Sequence, residues 1–94
     1  MIKHVVMWKF KPGEEENVKK FLAGLEGLRD QIEVLKDMEI GVNCNPDCDY
    51  DAVLISEFDS LEDLNTYKTD PRHVAVSKLC KSIRISRTAV DYTV

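Results

Sequence analysis

Residues 2–10 and 52–58 of this 94-residue chain each read as a β-strand whose two sides are both apolar. In the first, His4, Val6, Trp8 and Phe10 fall on one side, with Val5 and Met7 on the other. In the second, Leu54 and Phe58 oppose Val53 and Ile55. A strand apolar on both sides belongs in the middle of a sheet, and both faces of that sheet then need cover. Residues 36–44 differ, because Met38, Ile40, Val42 and Cys44 alternate with Asp37, Glu39, Gly41 and Asn43.

Helical spacing fills the gaps between these strands. From Glu14 to Arg29, the residues Val18, Phe21, Leu22, Leu25 and Leu28 share one helical face, with acidic residues in the first turn. Ser60 and Asp63 resemble a capping box opening a short helix that carries Leu61, Leu64 and Tyr67. Asp70 is a good N-cap and Pro71 suits the first helical position, so a helix restarts there, with Val76, Leu79, Cys80 and Ile83 at i, i+3, i+4 and i+7. Residues 86–94 close the chain as a strand.

The order β-α-β-β-α-β predicts a single α+β domain over 1–94 with a ferredoxin-like fold. Its four-stranded antiparallel sheet should run 4-1-3-2, with the helices on one face. Strands one and three are then central, and the face opposite the helices carries Val5, Met7, Val53 and Ile55. A bare apolar patch in mid-sheet marks an interaction surface, and a second copy of the same patch covers it by two-fold symmetry. A chain this short buries only about two-thirds of its unfolded surface, so such pairing also helps stability.

Thirteen Lys and Arg against 17 Asp and Glu give a net charge of −4, with no basic stripe. Nucleic acid and anionic membrane are therefore excluded as expected partners. No apolar run has membrane-spanning length and no cleavable signal opens the chain, so the expected compartment is the cytoplasm. Three cysteines do not suggest a disulfide scaffold. Cys44 and Cys48 lack the further ligands of a zinc site. Asp47, Asp49 and Asp51 imitate a calcium loop, but Ala52 stands where it needs glycine and Phe58 where it needs glutamate. No metal or cofactor is expected.

The stretch Tyr67-Lys68-Thr69-Asp70-Pro71-Arg72-His73-Val74 holds the candidate chemistry. It sets His73 near the third position of a helix, in the positive end of the helix dipole, where an imidazolium is disfavoured. A neutral ring donates from one nitrogen and accepts at the other, which is what a general base needs.

The chain as a whole resembles the stress-responsive dimeric α/β-barrel family. The resemblance rests on Lys3-His4-Val5-Val6 with Phe10-Lys11, on Ser56-Glu57-Phe58-Asp59-Ser60, on Asp70-Pro71-Arg72-His73-Val74, and on Val90-Asp91-Tyr92. It implies a homodimer whose sheets pair into a dimeric α/β barrel. One family member, the plant olivetolic acid cyclase, closes a linear polyketide by aldol condensation in a pocket between sheet and helices. By that resemblance, His73 matches its catalytic base, Tyr67 its catalytic tyrosine, and His4 a pocket histidine. This chain departs from the cyclase at Leu25, Ala52 and Arg84, where the cyclase has tyrosine, histidine and tryptophan, and at Trp8, where it has a smaller leucine. A pocket here would be lined by His4, Val6, Trp8, Phe21, Leu22, Leu25, Met38 and Leu54. Three functions fit: a dimer binding a small hydrophobic or aromatic ligand, a cofactor-free proton-transfer enzyme using His73 and Tyr67, and a purely structural dimer.

Overall fold

The computed structural model describes all 94 residues. Its elements are β1 (Ile2–Phe10), α1 (Glu15–Gly27), β2 (Asp37–Val42), β3 (Ala52–Phe58), α2 (Leu61–Thr69), α3 (Pro71–Ile83) and β4 (Arg84–Thr93). The strands form one antiparallel sheet in the order β2-β3-β1-β4. This is the ferredoxin-like architecture that the strand pattern requires, with three helices because Pro71 separates α2 from α3.

Register sorts the sheet into two faces. Val6 pairs with Leu54 and Ala89, and Trp8 with Ala52 and Arg87, on the helix-covered side. Val5 pairs with Ile55 and Val90, and Met7 with Val53 and Thr88, on the other. The covered side holds the core, in which Val6, Leu54, Phe58, Phe21, Leu25, Ile83 and Tyr67 are almost wholly buried. Edge-to-face packing of Trp8 on Phe21, with centroids 5.0 Å apart, ties β1 to α1. Phe58 lies 5.1 Å from Tyr67 and ties β3 to α2.

Several boundaries differ from the sequence reading, each for a local reason. Strand β2 ends at Val42, and Cys44 is exposed in the loop beyond it. There the Asn43 side chain accepts from Asn45 N and donates to Asn45 O, closing a turn that competes with the strand. Strand β4 starts two residues early, at Arg84, because an irregularity between Lys9 and Phe10 lets Phe10 pair with it. Leu61 sits in the first turn of α2 on its outer side and is 61% exposed rather than packed. Gly13 follows Pro12 with φ of 83°, a left-handed turn that a Cβ would strain.

The helix junction follows the expected capping. Ser60 Oγ accepts from Asp63 N at 3.1 Å. Asp70 ends α2 and starts α3, accepting from Arg72 N at 2.8 Å. Its carboxyl is lowered to about 2 by the Arg72 guanidinium. In the 43–51 loop, Asp51 accepts from Phe10 N at 2.8 Å and so braces β1. No group of three or more His, Cys, Asp or Glu gathers in a way that could hold a metal ion.

Phe58 and Leu61 provide a calibrated pair for this core. Phe58→Ala should cost about 3–5 kcal/mol in urea unfolding, whereas Leu61→Ala should stay within about 0.5 kcal/mol. Equal losses would contradict the packing described.

Candidate functional site

A cavity of about 300 Å³ lies between the β1–β3–β4 part of the sheet and the helices. Its floor is Val6, Trp8, Phe21, Leu25 and Leu54, all buried. His4 and His73, the only histidines in the chain, both line it. Ser77, Cys80, Lys68, Lys81, Arg84 and Arg87 complete the wall.

Each histidine is fixed by its Nδ1. That of His4 meets Asp91 Oδ1 at 2.5 Å, across the β1–β4 pair that places the two residues side by side. A carboxylate only accepts, so Nδ1 carries the hydrogen and the neutral ring keeps Nε2 as a free acceptor. That nitrogen bonds to no protein group. Because the Tyr67 hydroxyl is the sole buried side-chain polar atom without a partner, Nε2 retains contact with the cavity. His73 Nδ1 donates to the Lys68 carbonyl at 3.2 Å, reaching back over the helix junction to the last turn of α2. Its Nε2 is likewise left as an acceptor.

Burial pushes both rings below the ordinary histidine range. For His4 burial outweighs the hydrogen bond and charge of Asp91, which pull the other way. For His73 burial again leads, and the nearby His4 and Arg87 add to it. The helix N-terminus was the expected cause for His73, but removal from water comes first. Burial also raises the Cys80 thiol, which argues against thiolate chemistry there.

The cavity brings together most of the residues the sequence singled out, but not all. Leu22 faces a separate groove beside Phe10, Pro12 and Val42. Met38 is buried in the core on β2, the edge strand at the other side of the sheet, and does not reach the lining. Tyr67 is fully buried with its ring 4.4 Å from that of His73, behind the lining rather than in it. Its hydroxyl has no partner, and burial raises its pKa, so it stays a neutral donor.

Sequence reasoning passed over Lys68, Ser77, Lys81, Arg87 and the role of Asp91. The signal was present: 73, 77 and 80/81 recur at helical spacing on one side of α3, and 84 follows directly after its end. Residues 87, 89 and 91 are the alternate positions of β4 that face the same way as His4 and Trp8. On the opposite face, the same alternation adds Val90 and Tyr92, both exposed, to Val5, Met7, Val53 and Ile55. Gly41, paired with Val53, keeps that face flat.

With this geometry in place, comparison with known proteins is informative. The Dabb family, the stress-responsive A/B barrel domain, matches residues 2–94. The chain belongs to the Dabb family. Among curated proteins, none matches. A dimeric protein of unknown function and ferredoxin-like fold from Bacteroides fragilis is 36% identical. The match covers 99% of this chain and 95% of that one, with a TM-score of 0.90. A Dabb protein from Mesorhizobium loti is 23% identical over 99% and 95% of the two chains, at a TM-score of 0.83. A hydroxynitrile lyase from Passiflora edulis superimposes at 0.88 with 15% identity, over 99% and 92%. These last two likenesses concern the Dabb fold alone.

The histidine geometry has a measurable consequence. Both rings should titrate below about 6.5 in an NMR pH series. Asp91→Asn should lower His4 further, because it removes the charge and strong acceptor that favour the protonated ring. Folding stability should be fully present above the ordinary histidine pKa and fall as the pH drops below it. The unfolded chain there takes up protons that the buried rings refuse. A His4 pKa that rises in Asp91→Asn would contradict this assignment.

Proposed function

We propose that this Dabb protein is a homodimer that binds a small, largely apolar molecule in the cavity between sheet and helices. The observation that carries the reading is the cavity itself: an apolar floor crossed by two neutral histidines, each held by Nδ1 and each offering Nε2. Ligand sites usually combine an apolar wall with a few convergent polar groups, and about 300 Å³ is the lower end of their size range. Pairing is supported by the apolar sheet face and by the dimeric state of the Bacteroides fragilis relative. Two such sheets packed face to face would complete the barrel. No helix is long and apolar enough to cross a membrane. The three cysteines are unpaired, as a reducing compartment keeps them, which supports a cytoplasmic setting.

A second reading, cofactor-free proton transfer, is favoured by the His4–Asp91 pair. A carboxylate behind an imidazole fixes its tautomer and stabilises the imidazolium formed when Nε2 takes a proton. The Tyr67 hydroxyl, a neutral donor beside His73, stands behind the cavity wall, so this reading rests on the two imidazoles. The chemistry would be abstraction of a proton α to a carbonyl.

Titration with 1-naphthol tests binding. The ring signals of His4 and His73 and the Trp8 indole should shift together. Deuterium wash-in at the α-carbon of a small β-diketone, faster than in buffer alone and lost in His4→Asn and in His73→Asn, separates catalysis from binding. Silence at all three rings would leave only the structural dimer.

A further inference from the structure

The cavity wall is charged in a way that neither its fold nor the chain's composition calls for. Lys68, Lys81, Arg84 and Arg87 all line it, and no Asp or Glu does. This occurs in a chain where acidic residues outnumber basic ones by 17 to 13. None of the four cations has a carboxylate within salt-bridge distance. Asp91, in the same β4 row as Arg87, is committed to His4, and Asp70, two residues after Lys68, to Arg72. Arg84 has only the Cys80 sulfur, at 4.0 Å.

The four charges come from three elements. Lys68 is on α2, Lys81 on α3, Arg84 at the start of β4, and Arg87 on β4 directly across from Trp8. An inward-facing charge on an edge strand can serve simply to discourage edge-to-edge pairing. That purpose could cover only the two arginines of β4 and not the lysines arriving from two helices. Four like charges facing one space without counter-ions repel one another, so the arrangement works against folding unless something negative enters.

Their placement is also stratified. Lys68, Lys81 and Arg87 are exposed and Arg84 half-buried, whereas Val6, Trp8, Phe21, Leu25 and Leu54 below them are buried. The cations therefore form the rim and the apolar residues the floor, with the two histidines between them. We infer that the cavity's ligand is an amphiphilic anion, a small carboxylate whose apolar body rests on Trp8 and Phe21 while Arg84 and Arg87 hold its headgroup. Arginine suits this task, since its planar fork matches a carboxylate with two parallel hydrogen bonds. A carboxylate seated there also sets the adjoining carbon chain beside His4 and His73. This inference rests on the ligand-binding reading above and narrows it to one chemical class.

Trp8 is the only tryptophan in the chain and lies in the floor, so its fluorescence reports occupancy directly. Octanoate, octanol and inorganic phosphate are titrated separately against the wild-type protein. Octanoate should shift the Trp8 emission and bind about tenfold more tightly than octanol, as a charge-assisted pair requires. Phosphate, lacking an apolar body, should bind more weakly than octanoate. The advantage of octanoate should shrink with added salt and vanish in Arg84→Gln/Arg87→Gln, while octanol binding stays unchanged. Should that variant fail to fold by thermal melting, Lys68→Gln/Lys81→Gln should show the same loss in reduced measure. Octanol binding as tightly as octanoate would overturn the inference while leaving the cavity reading intact. So would phosphate binding as tightly as octanoate. Absence of any response at Trp8 would remove both.

Discussion

Everything in this protein depends on the register of β1 between its two neighbours. Side chains alternate along a strand with a period of two, so a one-residue slip would exchange His4, Val6 and Trp8 for Val5 and Met7. The ladder of Ile2–Trp8 against Phe58–Ala52 prevents that on one side, and the ladder to Thr93–Arg87 on the other. Phe58 and Tyr67 anchor one end through α2, and Trp8 on Phe21 anchors the other through α1. Because β1 is pinned at both edges, its two faces can carry unrelated duties.

The helix-side face pays for its chemistry with unusual residues. A ferredoxin-like sheet needs only apolar contacts beneath its helices, yet here the β4 row running from Asp91 to Arg84 is largely charged on that side. Asp91 gives the buried His4 ring a partner and fixes Nδ1 as its donor. The backbone does the same for His73, since the break at Pro71 leaves the Lys68 carbonyl free to accept from its Nδ1. Capping and the placing of His73 are thus the same feature of the chain: the Asp70-Pro71 junction that restarts the helix also sets the histidine against Tyr67.

The fold was legible because its signals are local and periodic. Two-faced strands and the Ser60 and Asp70 caps each read directly from residue order, and together they leave little freedom in topology. Lateral depth was harder to read. Met38 has the same inward alternation as Val6, but it sits on the edge strand away from the cavity, and no periodicity conveys that distance. Leu22 shares a helical face with Leu25 yet opens onto a different groove. The basic rim escaped notice because its members come from three elements and converge only in the folded chain, whereas net charge averages over the whole surface. Tyr67 was placed beside His73 correctly in sequence, but only packing shows that it stands behind the cavity wall.

The central claim is that the sheet's open face is covered by a second copy while the other face builds the site. Solvent paramagnetic relaxation of methyl groups measures this most directly. In a lone chain Val90 is 57% exposed, close to the exposed control Leu61 at 61%, and Met7 is 37% exposed. Pairing through the sheet predicts that a soluble gadolinium chelate broadens Leu61 strongly and leaves the Val5, Met7, Val53, Ile55 and Val90 methyls sharp. Broadening of Val90 to the extent seen at Leu61, with partial broadening of Met7, would show an open face and contradict the account.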